Sequence, residues 1–265
     1  MGLSQTIRFI LGHPMNRGRP VAALARFAVW QVRSRLQDEV IVDWIDGARL
    51  AVRRGMTGAT GNIYCGLHEY VDMRFLLDTL KPGDLFVDIG ANVGSYTVLA
   101  SKVCGARTIA VEPDPGAAAA LRRNVEINGI GTRVEVVEAA LGAAKGTVAF
   151  TVGRDTVNRI AETGDTCVRE VALITLDEAL AGKVPRLIKI DVEGFEAEVF
   201  KGAQITLADP GLEAIVTESQ DRAVIDVLER FGFERAYYDP DNRVIQDRMA
   251  EASHNCLMVR KPIQG

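Results

Sequence analysis

The stretch FVDIGANVGSY, Phe86 to Tyr96, runs apolar residues into an aspartate and then spaces Gly90, Asn92 and Gly94 over the following turn. It reads as a buried strand that stops, turns tightly and opens a helix, a geometry that commonly holds a ligand. Outward from it the pattern is regular. Strands are predicted over 85–89, 108–112, 134–138, 187–191 and 214–218. Helices are predicted over 94–103, 115–128, 175–180, 195–201 and 221–231, with Pro115 placed to start its helix. Shorter strands over 147–152 and 171–174 surround a polar loop, and 234–238 with 256–260 form a closing pair. Strand and helix in alternation imply a doubly wound α/β sheet. Near-continuous apolar runs such as LIKI and AIV fit parallel strands covered on both faces.

In such a sheet ligands bind beyond the carboxyl ends of the strands, near the switch in strand order. Five predicted strands end in a carboxylate there: Asp88, Glu112, Glu138, Asp191 and Glu218. Glu112, about twenty residues beyond the glycines, is placed to accept both hydroxyls of a ribose. A dinucleotide turn would read G-x-G-x-x-G, whereas here Asn92 puts a side chain where a pyrophosphate needs bare backbone. A nucleoside cofactor without phosphate fits better. S-adenosylmethionine has a ribose, an adenine and an amino-acid tail whose charges suit Asp88 and Asn92.

On these residues the chain resembles the FkbM family of S-adenosylmethionine-dependent methyltransferases. The matching runs are HEYVDMRFLLDTLKPGDLFVDIGANVGSYTVLA, AVEPDPGAAAALRRNVEINGI, EAALGAAKGTVAF and LIKIDVEGFEAEVFKGA, most of Leu67 to Ala203, with NCLMVRKP as the family's last strand. The resemblance implies a Rossmann-like methyltransferase sheet, mostly parallel with a closing antiparallel strand. It implies that Asp88, Gly90, Asn92, Gly94 and Ser95 line the methionine end, that Glu112 takes the ribose, and that Glu138 and Ala139 lie beside the adenine. Glu69 is a further cofactor-side candidate. It favours oxygen as the acceptor atom, on a sugar, glycan or secondary metabolite.

Methyl transfer is an in-line displacement, so the protein must position the acceptor and relieve a hydroxyl of its proton. Asp191 and Glu193, from IKIDVEG, are the catalytic candidates. Lys189 falls on the same side of its strand as Asp191. A helix cap at Asp191, with Glu193 adding first-turn charge, is the structural alternative. A divalent metal on Asp191, Glu193 and Glu218 is conceivable on oxygen-ligand grounds, but no metal-ligand spacing supports it and none is assigned. His68, in the segment before the domain, is a secondary candidate base; His13 and His254 stand in no constellation.

The rest of the chain sets bounds. A length of 265 residues suits one large domain with an extension: residues 1–66, then a methyltransferase domain over 67–265. A net charge of −4 excludes a strong general pull on nucleic acid. Four scattered cysteines without a CxxC pair read as buried reduced thiols in a cytoplasmic protein. MGLSQT fits a lipidation pattern that chance often matches. Residues 20–37 form a basic amphipathic helix whose Leu24, Phe27, Ala28 and Val32 dock it on the domain, or mark a membrane-surface or partner helix. Residues 40–54 read as a hairpin turning at Asp46-Gly47, and 55–70 as a Gly/Thr-rich loop that covers the site. Two rival functions remain: an NAD-dependent oxidoreductase, disfavoured by Asn92, and a non-catalytic cofactor-binding adaptor acting through the N-terminal helix. Partner and oligomeric state beyond a small-molecule or glycan acceptor are not legible.

Overall fold

The computed structural model describes residues 2–151, 159–161, 165–246 and 255–260. The chain opens with helices α1 (Leu3–Gly12) and α2 (Pro20–Leu36), the hairpin β1 (Val40–Asp43) and β2 (Arg49–Val52), and helices α3 (Thr57–Cys65) and α4 (Tyr70–Thr79). Then come β3 (Leu85–Ile89), α5 (Ser95–Val98) continued by a π-helical turn over Leu99–Val103, β4 (Arg107–Val111), α6 (Pro115–Asn128) and β5 (Val134–Val137). A side lobe holds β6 (Ala140–Leu141), β7 (Gly146–Thr151) and β8 (Val168–Ile174), followed by α7 (Leu176–Leu180), β9 (Leu187–Ile190), α8 (Glu196–Lys201) and α9 (Gln204–Ala208). The remainder is β10 (Ala214–Thr217), α10 (Arg222–Arg230), β11 (Phe233–Asp239), β12 (Val244–Gln246) and β13 (Cys256–Arg260).

The main sheet runs β12-β11-β13-β10-β9-β3-β4-β5. From β10 to β5 every pairing is parallel, while β13, β11 and β12 pair antiparallel at the other end. The chain builds outward from β3 through β4 to β5, then returns to lay β9 and β10 on the opposite side. The switch in strand order therefore falls between β3 and β9, and the crevice beyond their carboxyl ends is where such sheets bind ligands. All residues of β3, β9 and β10 are buried. Along β3, Leu85, Val87 and Ile89 enter one core layer and Phe86 the other, as a two-residue period requires. Asp88 thus shares the Phe86 face, and its register partner on β9 is Lys189.

The extension packs on the domain through Ile10, Trp30, Leu50, Val52 and Tyr64, which cluster with Val93, Val98 and Val125. The hairpin turns as expected: Asp46 and Gly47 both take positive φ, 46° and 79°, as a two-residue primed turn demands. Its open edge is satisfied by two buried amides of α6. Asn124 Oδ1 accepts from Ala51 N at 2.7 Å, and Asn128 Oδ1 accepts from Arg49 N at 2.8 Å.

Three expectations are corrected. Residues 57–65 form helix α3, not a loop, with Gly61 serving packing: a Cβ there would sit 2.6 Å from the His68 ring. Helix α2 does dock, but through Ala23, Trp30 and Ser34 with Phe27 half-buried; Val32 is left 59% exposed. Aromatic size decides the docking face, since Trp30 contributes far more apolar area than Ala28. Cys65, Cys104 and Cys256 are buried free thiols, whereas Cys167 is exposed. Among the described residues no helix is long and apolar enough to cross a membrane.

Candidate active site

The turn after β3 is shaped by a close approach. Gly90 has φ 73°, and a Cβ on it would lie 1.8 Å from the Asp191 carbonyl oxygen, so the neighbouring strand end forbids any side chain there. Asn92 follows in the left-handed region, φ 49°, a conformation asparagine tolerates. Its N–H donates to Glu112 Oε2 at 2.7 Å, and Asp114 N donates to Glu112 Oε1 at 2.8 Å. The first bond ties the turn after β3 to the end of β4, and the two together aim the Glu112 carboxylate. Burial nevertheless pushes Glu112 up to about 7. Each carboxylate oxygen keeps a second lone pair, which suits a hydroxyl donor.

Asp88 is buried and accepts from Thr97 Oγ1 at 2.6 Å. Burial raises its pKa, with Lys189 pulling the other way. Lys189 Nζ pairs with Asp191 Oδ2 at 2.6 Å and sits 5.1 Å from the Tyr96 ring centroid. Burial works against the Lys189 charge, but Asp191, Glu69 and Asp88 outweigh it and the ammonium holds its proton more tightly than usual. Tyr96 donates its hydroxyl to Glu69. The result is a cationic lysine surrounded by acids at the switch in strand order.

Asp191, Glu193 and Glu218 bring carboxylate oxygens within 4.8 Å of one another. Burial and then Asp191 push Glu218 up to about 8 although its outer face is exposed, and the same two causes raise Glu193. Glu193 also holds φ 51°, a conformation that costs a non-glycine residue of order 1 kcal/mol and tends to mark functional turns. Such spacing suits either a shared proton or a hard cation with oxygen ligands.

These groups line one wall of a cavity of about 890 Å³. Glu69, Asp88, Gly90, Asn92, Ser95, Glu112, Asp191 and Glu193 all border it, as do Lys189 and Glu218. Gly94, Glu138 and Ala139 do not lie among its lining residues. Gly94 is needed structurally: φ is 84°, and a Cβ would meet Leu121 at 2.6 Å. Glu138 faces outward and pairs with Arg122, and Ala139 is buried. Of the polar loop 153–170, residues 153–158 and 162–164 lie outside the described residues, and none of the rest borders the cavity.

The opposite wall comes from the extension: segment 55–70 covers the site as expected, while no motif in the sequence tells which side chains of α1 and α2 join it. Phe9, Phe27, Trp30, Tyr64, Arg35 and Arg54 form it. Asn62 fastens this wall to the turn, donating to Ser95 Oγ at 3.1 Å while accepting from His68 N at 2.9 Å. The His68 ring borders the cavity and stacks edge-on with Phe9 at 5.4 Å. His13, expected to stand alone, is buried beside Phe9 and Tyr70. Its Nδ1 accepts from Met15 N, leaving Nε2 to donate to the His68 carbonyl at 3.0 Å. His254 lies outside the described residues.

The donor set fits S-adenosylmethionine. A sulfonium and an ammonium suit an acidic wall, and the Glu112 carboxylate suits a ribose diol. Comparison with known proteins agrees. The family model described as the methyltransferase FkbM domain matches residues 88–235. The chain is 26% identical over 133 residues to the hexuronic acid methyltransferase AglP of Haloferax volcanii, covering 49% of this chain and 54% of that one. It is 29% identical over 115 residues to the ribosomal protein L11 methyltransferase of Caldanaerobacter subterraneus subsp. tengcongensis, covering 43% and 33%. The match thus spans about half the length of the first of these relatives and a third of the second. Among solved structures, an FkbM methyltransferase from Methylobacillus flagellatus KT superposes with TM-score 0.46 at 14% identity, covering 90% of this chain and 60% of that one. A precorrin-6y C5,15-methyltransferase from Geobacter metallireducens GS-15 gives 0.46 at 16%, covering 79% and 92%.

Proposed function

The chain belongs to the FkbM methyltransferase family, and from that premise we propose that it methylates a hydroxyl oxygen of a sugar, glycan or secondary metabolite. Family membership makes S-adenosylmethionine the cofactor, and a nicotinamide-dependent reaction is set aside. The observation that carries the finer reading is the carboxylate group of Asp191, Glu193 and Glu218 on the cavity wall. A hydroxyl needs its proton removed as it is methylated, and a raised carboxylate is matched to that task near neutral pH.

In this reading Asp88, Gly90, Asn92 and Ser95 hold the amino-acid tail, with Glu69 behind them, and Glu112 holds the ribose. Gly94 orders the turn, and Glu138 and Ala139 stay on the adenine side, after β5 and beyond the cavity lining. When bound, S-adenosylmethionine supplies an electrophilic methyl on a cationic sulfur. Asp191, fixed by Lys189, orients the acceptor oxygen. Glu218, hydrogen-bonded to Asp191, takes the hydroxyl proton, and Glu193 reaches the acceptor from the turn. The new bond is oxygen to carbon, the broken one sulfur to carbon, and the electron pair returns to sulfur. Arg54, on the opposite wall, suits a carboxylate on the acceptor such as a hexuronic acid carries. Residues 1–66 act as an acceptor-side extension and 67–265 as the methyltransferase domain, in a cytoplasmic setting.

Incubation of the purified protein with methyl-labelled cofactor and a panel of neutral and uronic-acid glycosides tests this. Base-stable label in an ether product is the expected result. Label lost on mild base, as from a methyl ester, or found on nitrogen, would overturn oxygen ether formation.

A further inference from the structure

Helix α2 has a second apolar face that the fold leaves in solvent. Val21 is 80% exposed, Val29 54%, Val32 59% and Leu36 78%, and Ala25 between them is exposed as well. At 3.6 residues per turn these five positions fall within an arc of about 80°, on the side of the helix away from the buried Trp30. Arg33 and Arg35 flank the stripe, one on each side. Residues 1–37 contain six arginines and neither aspartate nor glutamate. Among the described residues Arg8, Arg19, Arg33 and Arg35 have no carboxylate partner; Arg33 donates to the Ile41 carbonyl and Arg35 to Gln31. Helix α1 adds exposed Leu3 and Leu11, so more than half of the large apolar side chains exposed among the described residues lie within residues 3–36.

An apolar stripe left in water beside uncompensated guanidinium groups needs a partner that is apolar and anionic together. An anionic bilayer offers that: acyl chains for Val and Leu, and lipid phosphates within reach of the arginines at the stripe's edges. We propose that α2 lies on an anionic membrane surface, with Val21, Ala25, Val29, Val32 and Leu36 set into the headgroup boundary and Arg33 and Arg35 on the phosphates. The opposite face of the same helix supplies Phe27, Trp30 and Ser34 to the cavity wall, so docking sets that cavity close to the membrane surface. Nothing in this depends on which atom is methylated.

Sedimentation of the full chain with vesicles tests it. Vesicles containing phosphatidylglycerol should carry the protein down, vesicles of phosphatidylcholine alone far less, and added salt should release it. The double variant V29E/V32E alters two exposed positions and should lower partitioning by about tenfold or more, with melting temperature and cofactor binding unchanged. No sedimentation with anionic vesicles, or equal sedimentation of the variant, overturns the proposal. Equal partition to both vesicle types overturns its electrostatic half. A wild-type dimer that V29E/V32E dissociates, without vesicle binding, would assign the stripe to a second copy instead.

Discussion

On the sheet side of the cavity every charged lining residue except Lys189 is an acid; on the side built by residues 1–66 the charged lining residues are Arg35 and Arg54. The two walls also differ in how they are made. The acidic wall is fixed by backbone: strand ends in register, Gly90 pressed against the Asp191 carbonyl, and Glu112 held by two amides. The extension wall is fixed by side chains: Trp30 and Tyr64 in the core, the His68 ring against Gly61, and a hydrogen bond donated by the Asn62 amide to Ser95 Oγ. A wall set by backbone tolerates little change and can hold one invariant ligand. A wall set by side chains can vary with the acceptor. Cofactor and acceptor recognition should therefore separate under mutation.

The harshest way to break that contrast is Gly90→Ala. Its Cβ would lie 1.8 Å from a backbone oxygen, so strand β3 or β9 must move. A loss of about 4 kcal/mol or more is expected, seen as a large fall in the melting temperature together with loss of cofactor binding. A near-normal melt would mean the turn is softer than drawn.

Next comes Asp191→Asn, which keeps the shape and removes the charge facing Lys189. Turnover should fall by about two to four orders of magnitude, while cofactor affinity by calorimetry stays within a few-fold. Full turnover would return Asp191 to a capping role.

Glu112→Ala should weaken cofactor binding by about 1–3 kcal/mol, because it leaves the Asn92 and Asp114 amides and the ribose hydroxyls unpaired. An unchanged dissociation constant would remove Glu112 from the ribose.

Gly61→Ala tests the other wall. The new methyl must displace the His68 ring, at a cost of about 1–2 kcal/mol in stability. The KM for acceptor should rise and the cofactor affinity should not. A change in cofactor affinity alone would show that the two walls are not separable.

The smallest effect is protonic. Without ligand Glu112 keeps its proton up to about pH 7, and hydroxyl donors favour its ionised form. Binding therefore releases that proton. Affinity is full above this pH and declines as pH drops through it, by up to about tenfold per unit. Calorimetry in buffers of different ionisation heat measures the release, and an affinity flat between about pH 6 and 8 would count against it.

What is legible in the sequence follows the same division. Strand β3, helix α6 and the strand-end acids Asp88, Glu112 and Asp191 were legible because each depends on residues close in sequence: an apolar run, Pro115 at a helix start, a carboxylate before a turn. The α2 docking face is not legible, because periodicity marks an apolar stripe without saying which stripe meets the core, and α2 has two. Helix α3 is hidden by its glycines, and the purpose of Gly61, room for the His68 ring seven residues on, depends on the fold. Glu138, after β5, matches the strand-end acids after β3, β4 and β9 in pattern yet turns to Arg122.

The amino-acid sequence by itself determined the wound sheet, the crevice at its switch in strand order and the acids that rim it, because alternation of apolar strands and helices leaves one economical way to bury both sheet faces. Only tertiary structure decided which side chains of residues 1–66 complete the cavity, that Lys189 stands among Asp88, Asp191 and Glu69, and that α2 keeps an apolar stripe in solvent. Those facts rest on contacts between segments far apart along the chain, which local pattern does not encode.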